Sequence, residues 1–189
     1  MNVFIQIIEH LGNLLCMIFL VRILLQLARA DFNNPLAQLI HKFTYPILNP
    51  LRSLIPDLGK FNLTALIIAL VILTLKFFVI SSMLGQPLSA KYYLVTVLLG
   101  FPAFAGLLVN IITLLTVLFI GLMLASFLSG GQYNPAYAFL HQVTNPVLQP
   151  LRKIIPPIGG AIDITPMIVL LVLIYSQSFL VNLAAKFLA

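Results

Sequence analysis

Glu9, Arg22 and Lys76 are ionisable residues set inside stretches that are otherwise almost wholly apolar. A charged side chain at the middle of a bilayer costs roughly 2.5–3.5 kcal/mol on insertion scales, so each needs a partner, a route to water or a functional task. The chemistry open to them is interhelical ion pairing or the lining of a proton or ion path. Counted at ~1.5 Å per residue from the nearer ends of their apolar stretches, Glu9 lies ~9 Å deep and Lys76 ~10 Å deep. Antiparallel pairing of the first two stretches would let them meet. Arg22 is placed to snorkel toward the opposite interface. In a second copy of the pattern Lys76 aligns with Gln177, after a one-residue insertion near Ala161, and His10 beside Glu9 aligns with Asn110. An amide pair between Asn110 and Gln177 is therefore the expected mirror of the ion pair.

Other candidates belong to a segment that occurs twice. Residues 34–59, NPLAQLIHKFTYPILNPLRSLIPDLG, return as residues 134–159, NPAYAFLHQVTNPVLQPLRKIIPPIG. Agreement falls on Pro, Asn, Thr, Gly and Arg, which implies a shared backbone conformation. Asn34-Pro35 and Asn134-Pro135 read as helix starts, Asn capping free amides and Pro occupying a first position where no hydrogen bond is lost. Leu36, Leu39, Ile40 and Phe43 then share one face, as do Ala136, Phe139, Leu140 and Val143, the pattern of an amphipathic helix along a membrane surface. Pro46 with Pro50, and Pro146 with Pro150, should interrupt that helix as a kinked elbow, which Pro56 and Pro156 end. Arg52 and Arg152, followed by Lys153, sit at equivalent points of the elbows. There a guanidinium can grip a lipid phosphate bidentately or simply fix orientation as a positive charge. His41 and His141 share a repeat position too, and a symmetric pair can in principle ligate haem iron or a metal. Both are expected on the polar, solvated face, so no cofactor or metal is assigned.

These residues need elements to hold them. With 61% hydrophobic and 7% charged residues, the chain has too few polar groups to cover a water-soluble globule. A bilayer is the fitting solvent. About 20 apolar residues cross ~30 Å of hydrocarbon, and stretches near 3–28, 63–83, 103–127 and 164–184 qualify. The third belongs to a longer uncharged tract that must break at Gly100-Phe101-Pro102. Residues 92–99 are then too short to span and are expected at the interface, with Tyr92 and Tyr93 at headgroup level, or in a re-entrant turn. The first stretch is not a cleavable leader, because no basic segment precedes it and Glu9 and Arg22 interrupt it. Arg29, Lys42, Arg52 and Lys60 in one repeat loop, with Arg152 and Lys153 in the other, place both loops in the cytoplasm by the positive-inside rule, and both termini outside.

The expected fold is all-α and integral to the membrane: four transmembrane helices in two parallel repeats, each with an interfacial amphipathic helix and a Pro-kinked elbow. It forms a single membrane domain, with repeat 1 at about 1–85, a linker at about 86–100 and repeat 2 at about 101–189. Cys16 is the only cysteine, which excludes an intrachain disulfide and a cysteine metal cluster. The net charge of +6 is spread among apolar segments, so orientation and lipid contact explain it and nucleic acid does not. No GxSxG, HExxH, Walker loop or suitably spaced carboxylate pair occurs, so no enzyme activity is expected.

Two copies of NP, a helix and PxxxPLRxxIP between apolar spans resemble the YggT family of integral membrane proteins, over nearly the whole chain. The resemblance implies a small multi-pass protein of the bacterial inner membrane with a link to osmotic and ion homeostasis. Plastid relatives are associated with cytochrome b6 haem attachment or with nucleoid and thylakoid organisation. The leading expectation is a non-catalytic protein that organises lipid or a protein assembly at the cytoplasmic face, with anionic headgroups, a membrane-protein partner or further copies of itself as partners. A small ion transporter or channel is the alternative, and an assembly factor for membrane haem proteins a further one.

Overall fold

The computed structural model describes residues 2–86, 89–101, 103–129, 134–154 and 164–188. Helix α1 (Val3–Leu27) is followed by α2 (Pro35–Arg52), α3 (Leu63–Leu84) and α4 (Ala90–Leu98). Two short antiparallel strands, β1 (Gly100–Phe101) and β2 (Phe104–Ala105), pair Gly100 with Ala105 and Phe101 with Phe104. Helices α5 (Leu107–Ser129), α6 (Pro135–Arg152) and α7 (Thr165–Leu188) complete the chain. Helices α1, α3, α5 and α7 are long and apolar enough to cross a membrane.

Caps set several boundaries. Asn34 Oδ1 accepts from Leu36 N at 2.9 Å and Asn134 Oδ1 from Ala136 N at 2.9 Å, so both NP motifs open helices with Pro in the first turn. Asn62 caps α3 through Ala65 N, and Gly85 ends it at φ 64°, a left-handed conformation that glycine adopts without strain. The tight turn before α3 closes by a reciprocal pair of backbone hydrogen bonds between Leu58 and Phe61, with Gly59 at φ 60°.

The long helices pair mainly within each repeat, α1 on α3 and α5 on α7, and α1 also packs on α5 and α6. Cys16, Phe19, Leu25, Ala69 and Leu73 fill the first contact, and Phe119, Leu122, Leu148 and Val169 the second. The loops of the two repeats meet at one end of the bundle. Asn34 Nδ2 donates to the carbonyl of Pro135 at 2.8 Å, and Asp31 N donates to Gln142 Oε1 at 3.1 Å.

Three expectations need correction. Helices α2 and α6 run unbroken through Pro46, Pro50, Pro146 and Pro150. Each proline removes one N–H, which deprives a carbonyl four residues earlier. In α2 those carbonyls belong to Lys42 and Pro46, which with Pro50 occupy the exposed side away from the core. The missing rungs therefore lie outside the protein core and orphan no carbonyl within it.

The second correction concerns α6. Its apolar stripe is not a surface feature, because Phe139 and Val143 are buried in the protein core whereas Leu39 and Phe43 of α2 stay exposed. Packing of α6 on α1 and α5 covers the stripe. The third concerns α4, where Tyr92 is buried, stands edge-on to Tyr93 and tilts against Phe101. Aromatic packing with its neighbours, not headgroup exposure, sets its place. Pro156, Gly159 and Asp163 lie outside the described residues; Pro56 is exposed after α2.

Candidate functional site

Helix α1 presents Glu9 and Asn13 one turn apart, and α3 presents Lys76 opposite them. Lys76 Nζ stands 2.9 Å from Glu9 Oε2, so the two intramembrane charges meet. The ammonium also donates to Asn13 Oδ1 at 2.9 Å and to the carbonyl of Ala105 at 2.6 Å. Two of the three ammonium protons are thus hydrogen-bonded, while Glu9 Oε2 is held by charge alone and has no hydrogen-bond partner. Gly12 makes room for the lysine stem, since a Cβ there would stand 2.7 Å from Lys76 Cδ.

Glu9 completes the arrangement from the other side. Its Oε1 accepts from Asn13 Nδ2 and from the backbone N–H of Ala105, both at 2.8 Å. The carboxylate therefore takes the N–H of Ala105 while the ammonium takes its C=O. Non-helical backbone inside a bilayer is tolerated only when protein or water satisfies it, and here one ion pair satisfies both groups of a strand residue. Ala105 lies at the level of Lys76, about 12 Å inside the last residue of α3 at ~1.5 Å per residue. The α4–hairpin segment therefore dips into the bundle at the end opposite the repeat loops.

Asn110, in the first turn of α5, joins this cluster. Its Nδ2 donates to Asn13 Oδ1 at 3.1 Å, to Ala105 O at 3.2 Å and to Gly106 O at 2.9 Å. The expected Asn110–Gln177 pair is absent among the described residues, because the crossing of α5 beside α1 directs Asn110 to repeat 1. Gln177 is half-buried on α7, across a cavity of about 360 Å³ that Gln6, Glu9, His10, Asn13 and Phe104 also line. Sequence reasoning missed Asn13, although its place one turn after Glu9 on the same helix face was a usable signal. Ala105 acts through its backbone and gave none.

The end carrying α2 and α6 holds the other candidates. Arg52 Nη2 lies 3.4 Å from Asp57 Oδ2, the same oxygen that accepts from Gln26 Nε2 at 3.3 Å. Gln26 Oε1 in turn accepts from the Asn62 amide at 2.8 Å. Arg22 reaches toward the repeat-loop end, with its guanidinium 5.6 Å from the Phe32 ring centroid, but it is covered by protein there, being only 5% exposed. Phe32 meets His41 edge-on at 5.5 Å, and His41 stacks on Tyr45 at 5.3 Å. His41 is thus half-buried against aromatic rings, not fully solvated. Burial, then the nearby Arg22 and Arg52 charges, lowers its pKa below the usual histidine value. His141 packs 5.9 Å from Tyr137. Arg152 is half-buried at the end of α6 and Lys153 exposed beside it. Among the described residues no group of three His, Cys, Asp or Glu side chains is arranged to hold a metal.

The family model for CCB3/YggT matches residues 1–83 and again residues 101–184. The chain belongs to the CCB3/YggT family. The double match coincides with the two helical pairs, each embracing one repeat loop. An uncharacterized protein of Pseudomonas aeruginosa is 32% identical over 94% of this chain and 88% of its own length. A Vibrio alginolyticus protein from the proC 3′ region is 37% identical over 85% of this chain and 84% of its own. The uncharacterized YggT protein of Escherichia coli K12 is 33% identical over 92% of this chain and 86% of its own. No solved structure matches this CCB3/YggT chain.

Proposed function

We propose that this CCB3/YggT protein is a non-catalytic organiser of lipid or of a membrane-protein assembly, acting at the cytoplasmic face of the bacterial inner membrane and supporting osmotic, ion or envelope homeostasis. One observation carries the reading: α2 leaves Leu36, Leu39, Phe43 and Ile47 exposed on one face while Ala37, Thr44 and Leu48 are buried against the protein. Lys42 and Asn49 occupy a further side. A helix with a protein-facing, an apolar and a polar side suits the headgroup boundary, where apolar residues enter acyl chains and cations meet anionic headgroups. The Asn34–Pro135 link ties α2 to α6 and gives it a fixed base. The positive-inside rule supplies the cytoplasmic orientation.

The test is lipid retention. Native mass spectrometry of the detergent-purified protein should find anionic phospholipid enriched several-fold over its membrane abundance, and Leu39→Gln with Phe43→Gln should remove most of that enrichment. Retention at bulk composition, insensitive to these changes, would refute the reading.

A second reading is ion transport, favoured by the cavity beside Glu9 and Gln177. The hold on the Lys76 ammonium weighs against it, because Asn13, the Ala105 carbonyl and the Glu9 charge pin the group in place. Proteoliposome flux of monovalent cations and protons that vanished in Glu9→Gln/Lys76→Gln, with folding intact, would promote this reading over the first.

A further inference from the structure

Helix α1 carries a cation that neither the repeat pattern nor the ion-pair cluster explains. Arg22 is 95% withdrawn from the surface, being only 5% exposed, yet its Nε and Nη1 have no hydrogen-bond acceptor. Arg52 Nε is likewise buried and unpartnered. The two guanidinia lie within electrostatic reach of each other and share Asp57 as the nearby carboxylate. Asp57 is itself divided, one oxygen serving both Arg52 and Gln26. Two guanidinia, Arg22 buried and Arg52 about a third exposed at 36%, against one carboxylate leave an excess of one positive charge that opens to the surface on the Arg52 side, an arrangement that stabilises an incoming anion.

We infer that Arg22 and Arg52, with His41 at their edge, form a binding site for a phosphate anion, either a phospholipid headgroup or a free phosphate. Three unpartnered nitrogens from two guanidinium planes match a tetrahedral anion with several oxygens better than a planar carboxylate with two. The Phe32 ring lies over Arg22, its centroid 5.6 Å from Cζ. The site exists in repeat 1 alone. The positions corresponding to Arg22 and Asp57 are Leu122 and Pro157, whereas Arg52 recurs as Arg152. A charge needed only for orientation would not have to be buried, and Arg22 is. The inference deepens the lipid-contact reading and rests on it only for the choice of a lipid source, since a soluble phosphate would occupy the same groups.

The test uses the full-length protein in phosphate-free detergent, with the Arg Nε–H signals followed by nuclear magnetic resonance. Inorganic phosphate and short-chain phosphatidylglycerol are titrated in separate arms. Saturable displacement of the Arg22 Nε–H signal is expected in at least one arm, with at least tenfold weaker binding in Arg22→Gln. Asp57→Asn removes the competing carboxylate while keeping both guanidinia, so it should tighten binding several-fold; this variant keeps the test decisive if Arg22→Gln folds poorly. Response to the lipid alone identifies a headgroup, and response to both identifies phosphate as such. An unmoved Arg22 signal in both arms to millimolar ligand, with no gain in Asp57→Asn, overturns the site. Anionic-lipid enrichment that depends on Leu39 and Phe43 would then still stand, whereas a saturable phosphate site without lipid enrichment would leave the site and remove the organising role.

Discussion

Repeat 1 and repeat 2 share a scaffold and divide its chemistry unequally. Both open their loop helices with Asn-Pro, and both bury a threonine hydroxyl on a preceding carbonyl, Thr44 on Ile40 and Thr144 on Leu140. Beyond that they diverge. Repeat 1 holds Glu9, Arg22 and Lys76 inside the bundle and leaves the apolar face of α2 uncovered, while repeat 2 has Val109, Leu122 and Gln177 at those positions and buries Phe139 and Val143 of α6. Duplication gave two copies of one backbone plan. Freed from identical duties, one copy braces the molecule and the other offers polar groups and an open surface.

The largest expected effect tests the charged half against the polar half. Lys76→Met leaves Glu9 buried without its cation and should destabilise the protein by about 3–5 kcal/mol in detergent unfolding. Gln177→Leu, at the matching position, should change stability by less than ~0.5 kcal/mol, because Gln177 is only half-buried and lines an open cavity. Joining Lys76→Met to Glu9→Gln should recover part of the first loss. Equal costs for the two single changes would erase the distinction between the repeats.

Next comes the junction between them. A Cβ on Gly106 would overlap the backbone of Gly100 and Leu99, neither of which can move without opening the hairpin. Gly106→Ala should cost about 1–3 kcal/mol, as overpacking does. Gly121→Ala meets only Leu140 side-chain atoms at 3.4 Å or more and should be neutral or slightly stabilising. Thermal unfolding of the two variants side by side checks this. A tolerant Gly106 would mean that the hairpin is not held as described.

The helix starts offer a finer comparison. Asn34→Ala removes a cap and the bond to Pro135, and should cost about 1–2 kcal/mol; Asn134→Ala should cost nearer ~1 kcal/mol. Indistinguishable losses would show that the Asn34–Pro135 bond contributes nothing net.

Much of this asymmetry was legible in the residues, and the rest was not for identifiable reasons. The four apolar stretches announced the spans, and helix geometry alone put Glu9 and Lys76 at one depth. Asn110 went astray because a repeat alignment pairs equivalent positions, whereas helix crossing decides which side chains touch. The prolines of α2 and α6 misled for another reason: their cost depends on whether the deprived carbonyls are left inside the protein core, which a proline count does not report. The stripe of α6 reads like that of α2, yet the packing of α6 on α1 and α5 buries it, and only tertiary structure distinguishes the two.

The smallest expected effect is a pH dependence. His41 has a folded pKa below its ordinary value, so the unfolded chain takes up a proton first as pH falls. The His41 contribution to stability is intact above about pH 6.5 and declines as pH drops through the folded pKa. His41→Asn should flatten that part of the stability profile, measured by unfolding at a series of pH values. An unchanged slope would remove His41 from the account.

The proposed placement of α2 at the lipid boundary is open to direct measurement. Nitroxide labels at Lys42→Cys and Phe43→Cys, in a Cys16→Ser background and reconstituted in bilayers containing phosphatidylglycerol, report collision with oxygen from the lipid side and with a nickel chelate from the aqueous side. The account predicts a nickel-accessible label at 42 and an oxygen-accessible label at 43, one residue apart. Nickel access at both positions would contradict it.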